Sequence, residues 1–349
     1  MKNKYVFVLV MLLSILIISM GLTTIYVDQN QDMTKDEDFV VVTSFYPMYI
    51  AAMNVMEDVP GVTLKNLSEP QTGCLHDFQL TPEDMKLLST ADVFIINGGG
   101  IESFMEEIAA AYPNLVVVEA CEGIPLLGDE DSHLHEEEHV HETETEHIHE
   151  EEHIHESETD HVHGEESSDA HDHDHGENAH AWMSVSLYRK QVDNIVYGLS
   201  EANPENASYY EANGLSYDKK LAVLGEQQKE LVKLAENKSA IMFHCAFDYV
   251  AKDYGMNVAF CMDLDEERQV SAGEVAEVLS VIEHQNVRLV FAEELYGKGM
   301  CDLVQKETDV TVIYLDPLNR GEYEADSYIK NMAKNMELLR EALENSGGL

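Results

Sequence analysis

The stretch HEEEHVHETETEHIHEEEH, residues 135–153, satisfies H-E-x-x-H twice, at His135–His139 and at His149–His153. On a helix that spacing puts two imidazoles one turn apart on one face, with a glutamate beside them, as in zinc metalloproteases. The surroundings argue against catalysis. Residues 129–178 hold 21 Asp or Glu, 13 of the 17 His and no Lys or Arg, without an apolar period. A catalytic helix needs an apolar face to dock it, and here each match is embedded in more glutamate. The histidines fall instead into H-x-H pairs: His133 and His135, His139 and His141, His147 and His149, His153 and His155, His161 and His163, His171 and His173, with His175 close behind. Each pair offers two neutral imidazoles flanked by carboxylates. The segment is therefore expected to be disordered without metal and to act as an arm of weak, exchanging metal sites that raise the local ion concentration.

Four histidines lie elsewhere: His76, His180, His244 and His284. His284, in the polar stretch IEHQN, reads as a solvated helix residue. The other three sit where chains change direction. His244 directly follows a β-branched run at Ser239–Phe243. His76 lies in the loop after Val62–Leu67, just before a helical stretch, and His180 opens the segment after the acidic tract. Asp316 directly follows the run Thr311–Leu315. Ligands of open α/β sheets bind beyond the carboxyl ends of the strands, so three imidazoles and one carboxylate are expected to converge there. Three nitrogens and one oxygen suit tetrahedral Zn²⁺, whereas Mn²⁺ favours more oxygen donors. Glu293 and Glu294, after the run Arg288–Ala292, are candidates for orienting a ligand imidazole from behind.

The elements that must hold these residues form two similar halves. Strand-like runs at Phe39–Thr43, Val62–Leu67, Asp92–Asn97 and Leu115–Val118 alternate with helical stretches at Pro47–Asp58, Thr81–Thr90 and Ile101–Ala111. After the tract, Ser239–Phe243, Asn257–Cys261, Arg288–Ala292 and Thr311–Leu315 alternate with Ala246–Tyr254, Ser271–Gln285 and Tyr328–Asn345. This alternation predicts an α/β protein of two lobes, each a roughly four-stranded parallel sheet with flanking helices. Two helices, Val185–Ala202 and the long Glu205–Ala235, are expected to join the lobes at a nearly fixed distance, with the metal site between them. The expected organisation is an N-terminal apolar segment (1–27), a tether (28–38), a first lobe (39–128), the acidic His-rich loop (129–178), a linking block (179–236) and a second lobe (237–349).

Five ordered blocks make the chain resemble a known family. They are HDFQLTPEDMKLLSTADVFIINGGGIESFMEE, HAWMSVSLYRKQVDNI, FHCAFDYVAKDYGM, FAEELYGKGMCDLV and YLDPL. Together they resemble the substrate-binding proteins of zinc and manganese ABC importers, the cluster A-I type, over about residues 38–345. The acidic loop between the first two blocks resembles the zinc-specific branch. The resemblance implies His76, His180, His244 and Asp316 as metal ligands. It also implies an ABC permease with its ATPase as partners, and no enzymatic activity. The third position, typically Glu in manganese-binding relatives, is His244 here. The sequence departs from the family pattern in three places. Leu75 stands where zinc members can carry an acidic residue, W-M-S (Trp182, Met183, Ser184) replaces the usual W-L-D, and cysteines stand beside two of the histidines, Cys74 two residues before His76 and Cys245 directly after His244. A thiolate at either position could join or replace a ligand, but the preferred reading is of small side chains packed near the site.

Charge and termini complete the expectation. The formal net charge is −46, which disfavours nucleic acid and anionic headgroups as partners. Outside the tract the chain is only moderately acidic, with 46 acidic against 21 basic residues. Lys2 and Lys4 precede an apolar run to Val27, a secretory signal or a membrane anchor, with no cysteine behind it for a lipid. The five cysteines, Cys74, Cys121, Cys245, Cys261 and Cys301, are odd in number and scattered, unlike a disulfide framework. The expectation is an extracytoplasmic, monomeric protein that captures Zn²⁺ and delivers it to the permease. The alternatives are a manganese- or iron-binding member of the same family, a zinc buffer or adhesin, and, more remotely, a zinc-dependent hydrolase.

Overall fold

A computed structural model describes residues 39–75, 78–128, 177–264 and 268–346. The apolar N-terminal segment, the tether, His76 and the thirteen histidines of the acidic tract lie outside the described residues.

Two four-stranded parallel sheets form the framework. In the first lobe β1 (Phe39–Thr43), β2 (Val62–Asn66), β3 (Val93–Ile96) and β4 (Val116–Glu119) are ordered β2-β1-β3-β4. In the second, β5 (Ser239–Met242), β6 (Asn257–Cys261), β7 (Leu289–Ala292) and β8 (Thr311–Tyr314) repeat the pattern as β6-β5-β7-β8. All pairings are parallel, with registers such as Val41 opposite Val93 and Val290 opposite Val312. In each lobe the chain leaves the first strand to one side and the third to the other. A crevice therefore opens at their carboxyl ends, where such sheets bind ligands.

The helices follow from local signals. In the first lobe they are α1 (Tyr46–Val55), α2 (Pro82–Leu88) and α3 (Met105–Ala111). Thr81 starts α2 through a capping box with Asp84, so two otherwise unpaired N–H groups are satisfied reciprocally. The linking helices are α4 (Val185–Ala202) and α5 (Ala207–Ala235), separated by a short 3₁₀ turn at Pro204–Asn206. The second lobe carries α6 (Asp248–Asp253), α7 (Ala272–His284), α8 (Glu294–Glu307) and α9 (Ser327–Ser346). Of these, α8 was not anticipated, because Gly297 and Gly299 depress helix propensity. Its packing explains Gly297: a Cβ there would stand 3.2 Å from the Cβ of Ala292 on β7.

Strand alternation divides the core. Ala240 and Met242 of β5 join the large core that runs through both lobes and the linking helices. Ile241 and Phe243 face a smaller core under α7 and α8. The large core ties the lobes together. The α9 helix packs on α5 and β8, and α5 packs on α1. Tyr188 of α4 stacks on Tyr328 of α9 with ring centroids 3.8 Å apart. Tyr46 donates to the Glu322 carbonyl at 3.0 Å and Asn54 to that of Ala325 at 2.7 Å. No helix among the described residues is long and apolar enough to cross a membrane.

Candidate metal centre

Both central strands of the second lobe end at the crevice. His244 follows β5 and Glu293 follows β7, on adjacent strands. The His244 side chain is fully buried. Its Nδ1 stands 3.5 Å from Glu293 Oε2. That is close enough for strong attraction but long for a hydrogen bond. Neither atom has a hydrogen-bond partner among the described residues. The other carboxylate oxygen pairs with Arg320 at 3.1 Å, so the buried Glu293 charge is balanced. Burial disfavours the His244 imidazolium, but contacts with Cys74 and Glu293, reinforced by the charge of Asp263, outweigh it and hold its pKa well above the ordinary histidine value.

His180 arrives from the linking block, where Ala181–Met183 forms a 3₁₀ turn before α4. Its Nδ1 lies 2.9 Å from Asn178 Oδ1. The Asn178 amide is oriented by Nδ2, which donates to the Cys245 carbonyl at 2.8 Å. With an acceptor oxygen at Nδ1, the neutral ring carries its proton there and keeps the lone pair on Nε2. Trp182, fully buried, donates from Nε1 to the Pro317 carbonyl at 2.9 Å, fixing this segment to the loop after β8. Ser184, which stands where the family pattern has Asp, accepts from Leu187 N and caps α4. Serine and aspartate are equivalent in that role.

Cys74, on the loop after β2, closes the group. Its Sγ lies 3.4 Å from His180 Nε2 and 4.0 Å from His244 Nε2. The two imidazoles meet edge to face, centroids 5.1 Å apart. Cys74, His180 and His244 form the cluster of metal-ligand type found among the described residues, their ligand atoms all within 4.8 Å of one another. The preceding Gly73 has φ +90°, and a Cβ on it would stand 2.7 Å from the Arg320 guanidinium. Only glycine permits that turn and that approach.

The sequence-derived candidates divide accordingly. His180 and His244 are brought together. Asp316 follows β8 as expected, half-buried, but its carboxylate is not part of the three-residue group. Its Oδ1 accepts from Leu318 N at 2.8 Å. Burial raises its pKa, aided by the charge of Glu293, against the Leu318 contact and the cations Lys334 and Arg320. Glu293 faces the His244 imidazole, whereas Glu294 opens α8 on the exposed surface. His284 is exposed at the end of α7. Sequence reasoning ranked Cys74 as a packed side chain ahead of a ligand and passed over Asn178, Asn319 and Arg320. Asn178 stood in the histidine-adjacent stretch NAHAW, and Asn319-Arg320 directly follow YLDPL, so proximity to motif blocks was the signal available.

Two parallel-sheet lobes with imidazoles converging at the carboxyl edge of a central strand define a two-lobed binding protein for a transition-metal cation. The chain belongs to the family described as zinc-uptake complex component A, periplasmic, whose sequence model matches residues 41–342. It is 30% identical over 317 residues to the high-affinity zinc uptake system protein ZnuA of Bacillus subtilis, covering 89% of each chain. It is 26% identical over 319 residues to the zinc-binding protein AdcA of Streptococcus pyogenes, covering 88% of this chain but 56% of that longer protein. The solved SBP FpvC of P. aeruginosa, in complex with Ni²⁺, superposes with a TM-score of 0.69 at 22% identity, covering 89% of this chain and 98% of that one. At that identity the likeness speaks to the fold.

Proposed function

We propose that this protein captures Zn²⁺ outside the cytoplasm, in the crevice between its lobes, and passes it to a membrane permease driven by an ATPase. The observation that carries the reading is the pair His180 and His244. Each presents Nε2 to one point, and each has Nδ1 backed by an oxygen, from Asn178 and Glu293. Backing a ligand imidazole with an acceptor fixes its tautomer and raises its basicity. Nitrogen-rich donors favour zinc over manganese. The names of the Bacillus and Streptococcus relatives point to the same ion.

The ligand set proposed from the sequence is His76, His180, His244 and Asp316. A coordination sphere closed by protein leaves no position for a reactive water, which suits a carrier rather than a hydrolase. Export or anchoring is assigned to the apolar segment before residue 28, and the protein is taken to act as a monomer.

The test is zinc stoichiometry and affinity of the full chain, by equilibrium dialysis against a competing chelator. One tight equivalent is expected, lost in His244→Ala. If His244→Ala keeps the tight equivalent and sheds only weak ones, the site is misplaced. Normal growth under zinc starvation of a strain lacking the protein would sink the transport role.

A further inference from the structure

We propose that the Cys74 thiolate is itself a ligand of the bound cation, joining His180 and His244 in a sulfur-bearing site. The inference rests on the reading of this crevice as a zinc site, and it puts Cys74 in the tetrahedral position that reading gives to Asp316, whose carboxylate lies outside the three-residue group.

The distances fit. Sulfur at about 2.3 Å and nitrogen at about 2.0–2.1 Å from one tetrahedral zinc lie about 3.6 Å apart. Cys74 Sγ stands 3.4 Å from His180 Nε2 and 4.0 Å from His244 Nε2. Shifts of a few tenths of an ångström would place one ion on all three atoms. The directions fit as well. His180 spends Nδ1 on Asn178, and His244 turns Nδ1 to Glu293, so both remaining nitrogens face the sulfur.

A third contact acts on the sulfur. Asn319 Nδ2 donates to Cys74 Sγ at 2.9 Å. The donor is itself held, since Asn319 Oδ1 accepts from Arg320 Nε at 3.2 Å. Cys245 provides the contrast. Its Sγ approaches His180 from the Nδ1 side at 3.9 Å and contacts Asp263 at 3.4 Å, away from the metal-facing nitrogen. On ligation the Cys74 proton leaves to solvent and the sulfur lone pair goes to the metal. The softer donor biases the site toward thiophilic ions and against Mn²⁺.

The test uses the full chain with one equivalent of Co²⁺ as a spectroscopic stand-in for zinc. The wild type should show an intense near-ultraviolet sulfur-to-cobalt charge-transfer absorption. Cys74→Ser should lose it, and zinc affinity should fall by no less than the roughly 10–100-fold that removing an outer partner costs. Cys245→Ser should keep the absorption. A second readout needs no variant: one equivalent of zinc should protect Cys74 from iodoacetamide, as mapped by peptide mass. Stoichiometric cobalt without a sulfur band, or a band unchanged in Cys74→Ser, overturns the ligand while leaving the zinc site standing. Absence of any stoichiometric cobalt or zinc overturns both.

Discussion

Glu293 shows how much a single carboxylate decides here. It is 4% exposed and sits between the His244 imidazole on one side and the Arg320 guanidinium on the other. Arg320 cancels its charge, so it can remain buried, while its second oxygen faces His244 Nδ1 at 3.5 Å. Replacing it with glutamine should lower zinc affinity by roughly 10–100-fold without changing the stoichiometry. A competition titration against a chromophoric chelator reads both quantities. If the affinity is unchanged, Glu293 serves only to neutralise Arg320. At this scale the sequence was half informative. Histidines directly after β-branched runs announce themselves, because strand ends are where parallel sheets bind. The placement of Cys74 did not, because its sulfur is fixed by Asn319, 245 residues further along, and no local pattern records that meeting.

The loop after β3 is the element that orients the histidine turn. Asn97 donates from Nδ2 to the Ala179 carbonyl at 2.9 Å, next to His180, and accepts from Gln191 of α4 at 2.8 Å. The loop is held in turn by Glu102, which accepts from Ser44 Oγ and from the backbone N–H groups of Asn97 and Gly98. Burial pushes the Glu102 pKa up to about 7, against the pull of those three donors. In the unfolded chain the same carboxyl titrates near 4.5. Between the two values the folded state binds more protons, so this group's contribution is complete below the unfolded pKa and is lost as pH rises through about 7. The full span is on the order of 3 kcal/mol. Denaturant unfolding from pH 4 to 8 should show Glu102→Gln with a flatter pH dependence than wild type, and parallel curves would refute the assignment. The central strands were legible to within about a residue because runs buried on both faces are continuously apolar. The α8 helix was not, since its glycines serve packing against β7, which only the tertiary structure reveals.

Between the lobes, Trp182 is the principal strut. Its indole donates to Pro317 across the crevice, its carbonyl accepts from Tyr328 at 2.8 Å, and Phe45 meets its ring edge to face at 5.1 Å. Trp182→Phe should cost about 1–3 kcal/mol, for an orphaned carbonyl and lost packing, measurable as a lower denaturation midpoint. Zinc affinity should fall with it, because His180 is two residues away. The whole molecule also shows how the acidic tract is attached. Leu127 and Asn178 pair as an antiparallel bridge, with Asn178 N donating to the Leu127 carbonyl at 2.8 Å. Tyr249 clamps the pair, its hydroxyl accepting from Leu127 N and donating to the Asn178 carbonyl. The tract therefore leaves and re-enters the fold at one point, beside His180. Composition set its boundary at 178, yet Asn178 Oδ1 lies 2.9 Å from Nδ1 of the His180 ring. Two deletions then separate arm from site. Replacing 129–176 with a short Gly-Ser linker should keep the tight zinc equivalent and remove the weak ones supplied by the thirteen histidines. Zinc capture from dilute solution should slow as the local store of ion is lost. Extending the deletion through Asn178 should in addition weaken the tight site, because His180 loses the oxygen that holds its proton on Nδ1. Calorimetric titration of both deletions decides the matter. Loss of tight binding in the shorter deletion would show that the tract supplies part of the site, and equal behaviour of the two would show that Asn178 does not orient it.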